Sequence, residues 1–123
     1  MALKLEWSAR VRCTTEEIDK QVPAEPGVYQ ISHPAYPGTS VDYVGQAENL
    51  KEKLKQHLLS SEPNVRLREH LQYYECTIRY AIVPDQADRN GAERALYDRW
   101  KPYVVNDTVP PGPAIEIEQT LAP

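Results

Sequence analysis

The chain has 123 residues, a net charge of −4 and a pI near 5.4. Apolar residues make up 41% and charged residues 26%, the balance of one globular domain with a modest core. No apolar run approaches the ~20 residues of a bilayer span, and Met1-Ala2-Leu3-Lys4-Leu5-Glu6 lacks a basic-then-apolar leader pattern. A cytoplasmic protein without a membrane partner is expected. The acidic balance argues against a non-specific nucleic-acid binder. Residues 50–70 still hold Lys51, Lys53, Lys55, Arg66 and Arg68 against Glu52, Glu62 and Glu69, and form the one segment suited to face phosphate. Cys13 and Cys76 lie far apart in sequence. They form either one disulfide or, as the missing secretion signal favours, two reduced buried thiols. Neither they nor His33, His57 and His70 show a zinc-like spacing.

Residues 3–13 alternate, with Leu3, Leu5, Trp7, Ala9, Val11 and Cys13 on one side and Lys4, Glu6, Ser8, Arg10 and Arg12 on the other. Period two predicts a half-buried strand. Thr14, with Glu17 three residues on, predicts a helix start, and the helix should reach about Val22 before Pro23. Val28 to Ile31 reads as a strand after Pro26-Gly27. Pro34, Pro37 and Gly38 make His33 to Ser40 a loop. Val41 to Val44 reads as a second, antiparallel strand ended by Gly45. Alternation puts Gly27, Tyr29 and Ile31 on one side of the first strand, and Val41, Tyr43 and Gly45 on one side of the second.

Asn49 with Glu52 predicts another capped start. Leu50, Leu54 and Leu58 give that helix an apolar stripe, and it should end near Ser60. A further helix is predicted over Val65 to Tyr73, with Val65, Leu67, Leu71 and Tyr74 inward, followed by a strand over Thr77 to Val83. Asn90 is the predicted cap of a last helix from Gly91 to Trp100, buried through Ala92, Leu96 and Trp100. The chain therefore divides into a strand and short helix over residues 1–22, a central unit over 23–106 and a proline-rich tail over 107–123. Within the tail, Ile115-Glu116-Ile117-Glu118 is able to pair with the N-terminal strand.

Gly27-Val28-Tyr29 and Tyr43-Val44-Gly45 resemble the paired tripeptides of the GIY-YIG nucleases. Lys53 and His57 stand where many members carry an arginine and a histidine on the next helix. Glu93 matches the metal-binding glutamate that opens the family's last helix, and Pro102 and Asn106 follow as they often do there. The resemblance spans about residues 22–106. It implies an α+β fold, with a small, mainly antiparallel three-stranded sheet flanked by helices and an extra N-terminal strand outside it. It also implies a metal-dependent endonuclease cleaving phosphodiesters in DNA, with one Mg²⁺ or Mn²⁺ on Glu93. Three departures stand out. The loop between the tripeptides is long and proline-rich. Lys53 replaces the planar guanidinium fork with a point charge. Gln46 stands where some members carry a lysine.

Phosphodiester hydrolysis needs an activated water, neutralisation of developing charge and help for the leaving oxygen. The resemblance assigns Tyr29 and Tyr43 to the attacking water, one of them as its base. A free phenol, with a pKa near 10, needs cations nearby for that work. Lys53 and His57, four apart, project from one side of a helix. Lys53 would contact the scissile phosphate, and His57 would orient water or phosphate. Gly45, Gln46, Lys55, Arg66 and Asn106 are the candidate substrate contacts. The competing reading is a GIY-YIG-like domain that has lost catalysis and serves as a nucleic-acid or protein interaction module, dimerising or adding a strand through its N-terminal strand or its tail. A third is an unrelated small α/β protein in which Tyr43 and Glu93 lie far apart.

Overall fold

The computed structural model describes residues 2–35 and 37–121. In chain order the elements are β1 (Leu3–Trp7), β2 (Val11–Arg12), α1 (Thr15–Gln21), β3 (Gly27–Pro34), β4 (Thr39–Ala47), α2 (Leu50–His57), α3 (Val65–Tyr73), β5 (Thr77–Ile82), α4 (Gln86–Trp100) and β6 (Ile117–Leu121). Among the described residues the architecture is mixed α+β. Four strands form an antiparallel sheet in the order β2-β5-β3-β4, and β1 and β6 form a separate parallel pair.

Two apolar cores lie on the two faces of that sheet. Ile18 and Val22 of the α1 segment, Leu50 and Leu54 of α2, and Leu67 of α3 pack with Tyr29, Ile31 and Ile78. Ala92 and Leu96 of α4, together with Leu5 and Trp7 of β1, pack with Val28, Val44 and Ala81. Each face is thus covered, which explains why β3 reads GVYQI without a polar residue until Gln30.

Local signals place the helix starts well. The Thr14 hydroxyl accepts from the Glu17 amide at 3.1 Å, and Asn49 Oδ1 accepts from the Glu52 amide at 3.0 Å. Helix α3 has the predicted limits, but Val65 is exposed and Tyr74 lies largely at the surface, so its inward face is Leu67 and, in part, Leu71. Helix α2 closes at His57 rather than near Ser60. The Leu58 and Leu59 amides turn back to Lys55 and Gln56 and tighten the last turn.

Tertiary pairing redraws several boundaries. The alternating stretch 3–13 is two strands in two layers. Ala9 and Arg10 are exposed between them, and the Ser8 amide bonds the Tyr80 carbonyl at 2.8 Å as the chain crosses over. Alternation alone does not distinguish one strand from two that share a facing pattern. The β3–β4 hairpin is longer than predicted, and His33, Pro34, Thr39 and Ser40 belong to its ladder. Pro34 is tolerated because β5 pairs with β3 only as far as Ser32, so no neighbour on that side needs its missing amide hydrogen. Tyr36 of the predicted loop lies outside the described residues.

Gly45 does not end β4, which continues to Ala47. The ladder also shifts register between Ile31 and Ser32: Ile31 pairs with Tyr43 but Ser32 with Val41, leaving Asp42 as a bulge residue. Val41 consequently joins the α4-side core while Tyr43 packs on the other, against the predicted shared face. Helix α4 starts at Gln86, not Gly91. Its cap is Asp85, whose carboxylate accepts from the Asp88 amide at 3.0 Å, and Asn90 and Glu93 lie inside the helix. Residues 86–90 form its first turn, exposed at Gln86 and Ala87 and buried at Arg89.

The tail returns to the fold. Ile115 bonds Gly91 through its amide at 3.3 Å, and β6 pairs with β1 in the register Leu3–Ile117 to Trp7–Leu121. The Trp7 indole donates to Gln119 Oε1 at 2.8 Å. Ala122 and Pro123 lie outside the described residues. Removing residues 114–123 should therefore strip cover from Leu5 and Trp7 and lower the urea midpoint at nearly unchanged slope. An unchanged midpoint would show that β6 adds nothing to the fold.

Candidate active site

The two tripeptides lie side by side because β3 and β4 pair, with Tyr29 directly opposite Gly45. The Tyr29 ring covers that glycine. A Cβ on Gly45 would stand 2.5 Å from both Cζ and the hydroxyl of Tyr29. Gly27 is constrained as closely, since a Cβ there would stand 2.2 Å from the Ala81 carbonyl oxygen. Both glycines therefore answer a demand for space. Gly45, predicted as a substrate contact, is buried and forms a seat for Tyr29.

Tyr29 is 1% exposed. Its hydroxyl lies 2.6 Å from His57 Nε2, and His57 Nδ1 lies 3.0 Å from Glu62 Oε2. Burial lowers the His57 pKa against the pull of Glu62, with Lys53 adding to the fall. Burial also pushes the Tyr29 phenol well above its ordinary value, helped by Tyr43, Glu93 and Glu62. Both directions favour the uncharged side chains. A neutral Tyr29 donates to Nε2 of a neutral His57, which donates from Nδ1 to Glu62. The other Glu62 oxygen accepts from the Asn64 amide at 3.3 Å, so the carboxylate is held at both ends.

Tyr43 stacks on Tyr29 with ring centroids 6.2 Å apart, and meets His57 edge-on at 5.1 Å. Unlike Tyr29 it reaches a cavity of about 470 Å³, whose walls include Lys53, His57, Glu62, Asn106 and Asp107. Burial is the main cause that pushes the Tyr43 phenol up to about 12, with Glu62, Glu93 and Asp107 adding to it. Lys53 is exposed at the rim.

Glu93 comes from α4, the helix on the opposite face of the sheet. It stands beside the edge strand β4, where Oε1 accepts from Gln46 Nε2 at 3.1 Å. Burial raises its carboxyl, while the Gln46 hydrogen bond and the Lys53 charge work the other way. Glu93 thus senses both phenols and Lys53 electrostatically, but it is not among the residues lining the cavity. The arginines near it on α4 are engaged elsewhere: Arg94 pairs with Asp98, and Arg89 bonds Val83, Pro84 and Gln86.

Gln46 is locked in an amide network. It donates to Asn90 at 2.6 Å and accepts from Gln86 at 2.9 Å. Asn106 clamps the outer edge of β4, accepting from the Val44 amide at 3.2 Å and donating to the Val44 carbonyl at 2.8 Å. Lys55 pairs with Asp19 at 2.8 Å and faces a different groove. Arg66 is exposed on α3, outside the cavity walls. Arg68 binds the Ser60 and Glu62 carbonyls. The basic segment is therefore not a continuous phosphate track.

Glu62 and Asp107 escaped the sequence reading. Glu62 follows His57 by five residues across a helix end, so no helical spacing joins them. Asp107 is the first residue of the tail. No family model, curated protein or solved structure matches the chain.

Gly45→Ala should destabilise the fold by roughly 1–3 kcal/mol, the usual penalty for overpacking. Chemical denaturation measures it, and a loss below about 0.5 kcal/mol would show that Tyr29 is not confined by this seat.

Proposed function

We propose that the chain is a metal-dependent phosphodiesterase of the GIY-YIG type, an endonuclease acting on DNA. The observation that carries this reading is the grouping of Tyr43, His57 and Lys53 around one cavity, with Tyr29 behind them and Glu93 within electrostatic reach. A half-buried carboxylate with hard oxygen donors suits a magnesium-like ion, which keeps several waters and uses few protein ligands. Glu93 would hold it, and when bound the ion would supply positive charge to the phosphate and a more acidic water.

The chain's own groups divide the remaining work. Tyr43, at the cavity wall, would take a proton from the attacking water in its ionised, phenolate form, after losing its own to solvent. Tyr29 is sealed and donates to His57, so it positions its neighbours. His57 holds Tyr29 in place and fixes Tyr43 edge-on, a role through other residues in place of direct contact with water or phosphate. Lys53 supplies the exposed positive charge for a non-bridging phosphate oxygen.

Charge balance also favours a second reading, a weakened domain that binds without cutting. Glu62, Glu93 and Asp107 all act on Tyr43, and Lys53 is the cation on the cavity wall.

Purified protein with Mg²⁺ or Mn²⁺ should nick DNA, and Glu93→Ala should reduce nicking by about 10²–10³-fold with the fold intact. Lys53→Arg should keep or raise the rate. Absence of cleavage by the folded wild-type protein with either metal supports the binding module instead.

Because Tyr43 is pushed up, its ionised fraction at neutral pH is small and grows about tenfold per pH unit. Single-turnover nicking should rise with that slope from neutral to mildly alkaline pH, and Tyr43→Phe should flatten it. A wild-type profile already flat over this range would remove Tyr43 from the role of base.

A further inference from the structure

His33 of β3, Asp42 of β4 and His70 of α3 converge away from the Tyr43 cavity. Asp42 is the bulge residue of the hairpin and is 1% exposed. Its carboxylate oxygens lie 2.8 and 2.9 Å from His33 Nδ1, and Oδ1 lies 3.1 Å from His70 Nδ1. The donor atoms of the three side chains all fall within 4.8 Å of one another.

The geometry points to a divalent transition-metal site of the zinc type on His33 Nδ1, the Asp42 carboxylate and His70 Nδ1. Two imidazoles and one carboxylate are a donor set for such ions, whereas Mg²⁺ and Ca²⁺ take oxygen. Tetrahedral metal–donor bonds of about 2.0–2.2 Å set neighbouring donors roughly 3.3–3.6 Å apart. Both imidazole nitrogens lie 2.8–3.1 Å from the Asp42 carboxylate, and all the donors lie within 4.8 Å of one another, so small side-chain movements would admit the ion. Binding would use the Nδ1 lone pair of each imidazole, so any proton held there leaves through water.

The surroundings suit a bound ion. Asp42 is anchored by its own carbonyl, which accepts from the Val105 amide at 2.7 Å. The Tyr74 ring stacks on His33 at 3.9 Å and sets its plane. His70 is the more open ligand, at 28% side-chain exposure, leaving a side on which water can complete the coordination. The ion would tie the hairpin bulge to α3, two elements that come from different parts of the chain. This site differs in chemistry and place from the Glu93 carboxylate and does not depend on nuclease activity.

The test is isothermal titration of chelator-stripped, full-length protein with Zn²⁺ alone, with Co²⁺ absorption spectra recorded in parallel. One equivalent should bind saturably, raise the thermal midpoint and give visible Co²⁺ bands. His33→Ala and His70→Ala should each weaken binding by more than the roughly 10–100-fold that loss of a mere outer partner causes. Glu93→Gln should leave binding intact, which separates this site from the proposed active site. His70 is surface-accessible, so His70→Ala gives a folded test even if Asp42→Asn does not. Absence of saturable 1:1 binding would overturn the site, and so would wild-type affinity in both histidine variants.

Discussion

The ring of Tyr29 lying across Gly45 organises the rest of the site. An aromatic side chain of this size removes 150–250 Å² from water, roughly 4–6 kcal/mol of gross transfer free energy. That gain requires its hydroxyl to find a partner inside, and His57 is the partner. His57 in turn leaves a buried ring nitrogen that Glu62 satisfies, and Glu62 is held by the Asn64 amide. Asn64 also caps α3 through the Leu67 amide and binds the Val105 carbonyl. One packing demand on the sheet therefore propagates through four polar side chains to a helix start and to the segment after α4. Polar chains of this kind are stable only when every member is satisfied, and breaking one link strands the others.

This arrangement also separates two tyrosines that look alike in sequence. Both stand on neighbouring strands and face the same core, yet one is sealed and the other meets a cavity. The sealed phenol is fixed as a donor. The accessible phenol is surrounded by carboxylates, which oppose its ionisation. The lysine at Lys53 and the salt bridge that occupies Lys55 leave little positive charge to offset them. Any catalytic power must come from a bound cation, or from substrate held against Lys53, more than from a standing field in the protein.

Sequence reading succeeded where the signal is local. The Thr14 and Asn49 caps, the limits of α3 and the strand at Thr77 depend on side chain–backbone contacts a few residues apart, or on a short β-branched run. The partnership of β1 with the tail was legible in part: Ile117 and Glu118 of the alternating run 115–118 pair with it, but the strand runs on to Leu121 without alternating. What escaped depends on distant pairing. The bulge at Asp42 turns Val41 to the other face, and the split at Ser8 separates two strands that share one pattern. The early start of α4 is an exception: the Asp85 cap on the Asp88 amide is a local signal, passed over in favour of Asn90. At the site, the nearness of Tyr29, Tyr43 and His57 was an expectation from the family resemblance, which alternation and helix spacing alone did not supply. The role of Glu62 was not legible, since it sits beyond a helix end.

Asn106 has a consequence for how this molecule meets others. Strand β4 is the sheet's last strand, and its outward amides and carbonyls would ordinarily offer a template to any extended peptide. The Asn106 carboxamide copies the donor–acceptor pair of a neighbouring backbone at Val44, and Val105 takes the carbonyl of Asp42. The rim of the sheet beside the cavity is thereby plugged by the chain itself. Intermolecular sheet growth is blocked there, and a polymeric ligand lying along this border meets side chains instead of an open backbone ladder.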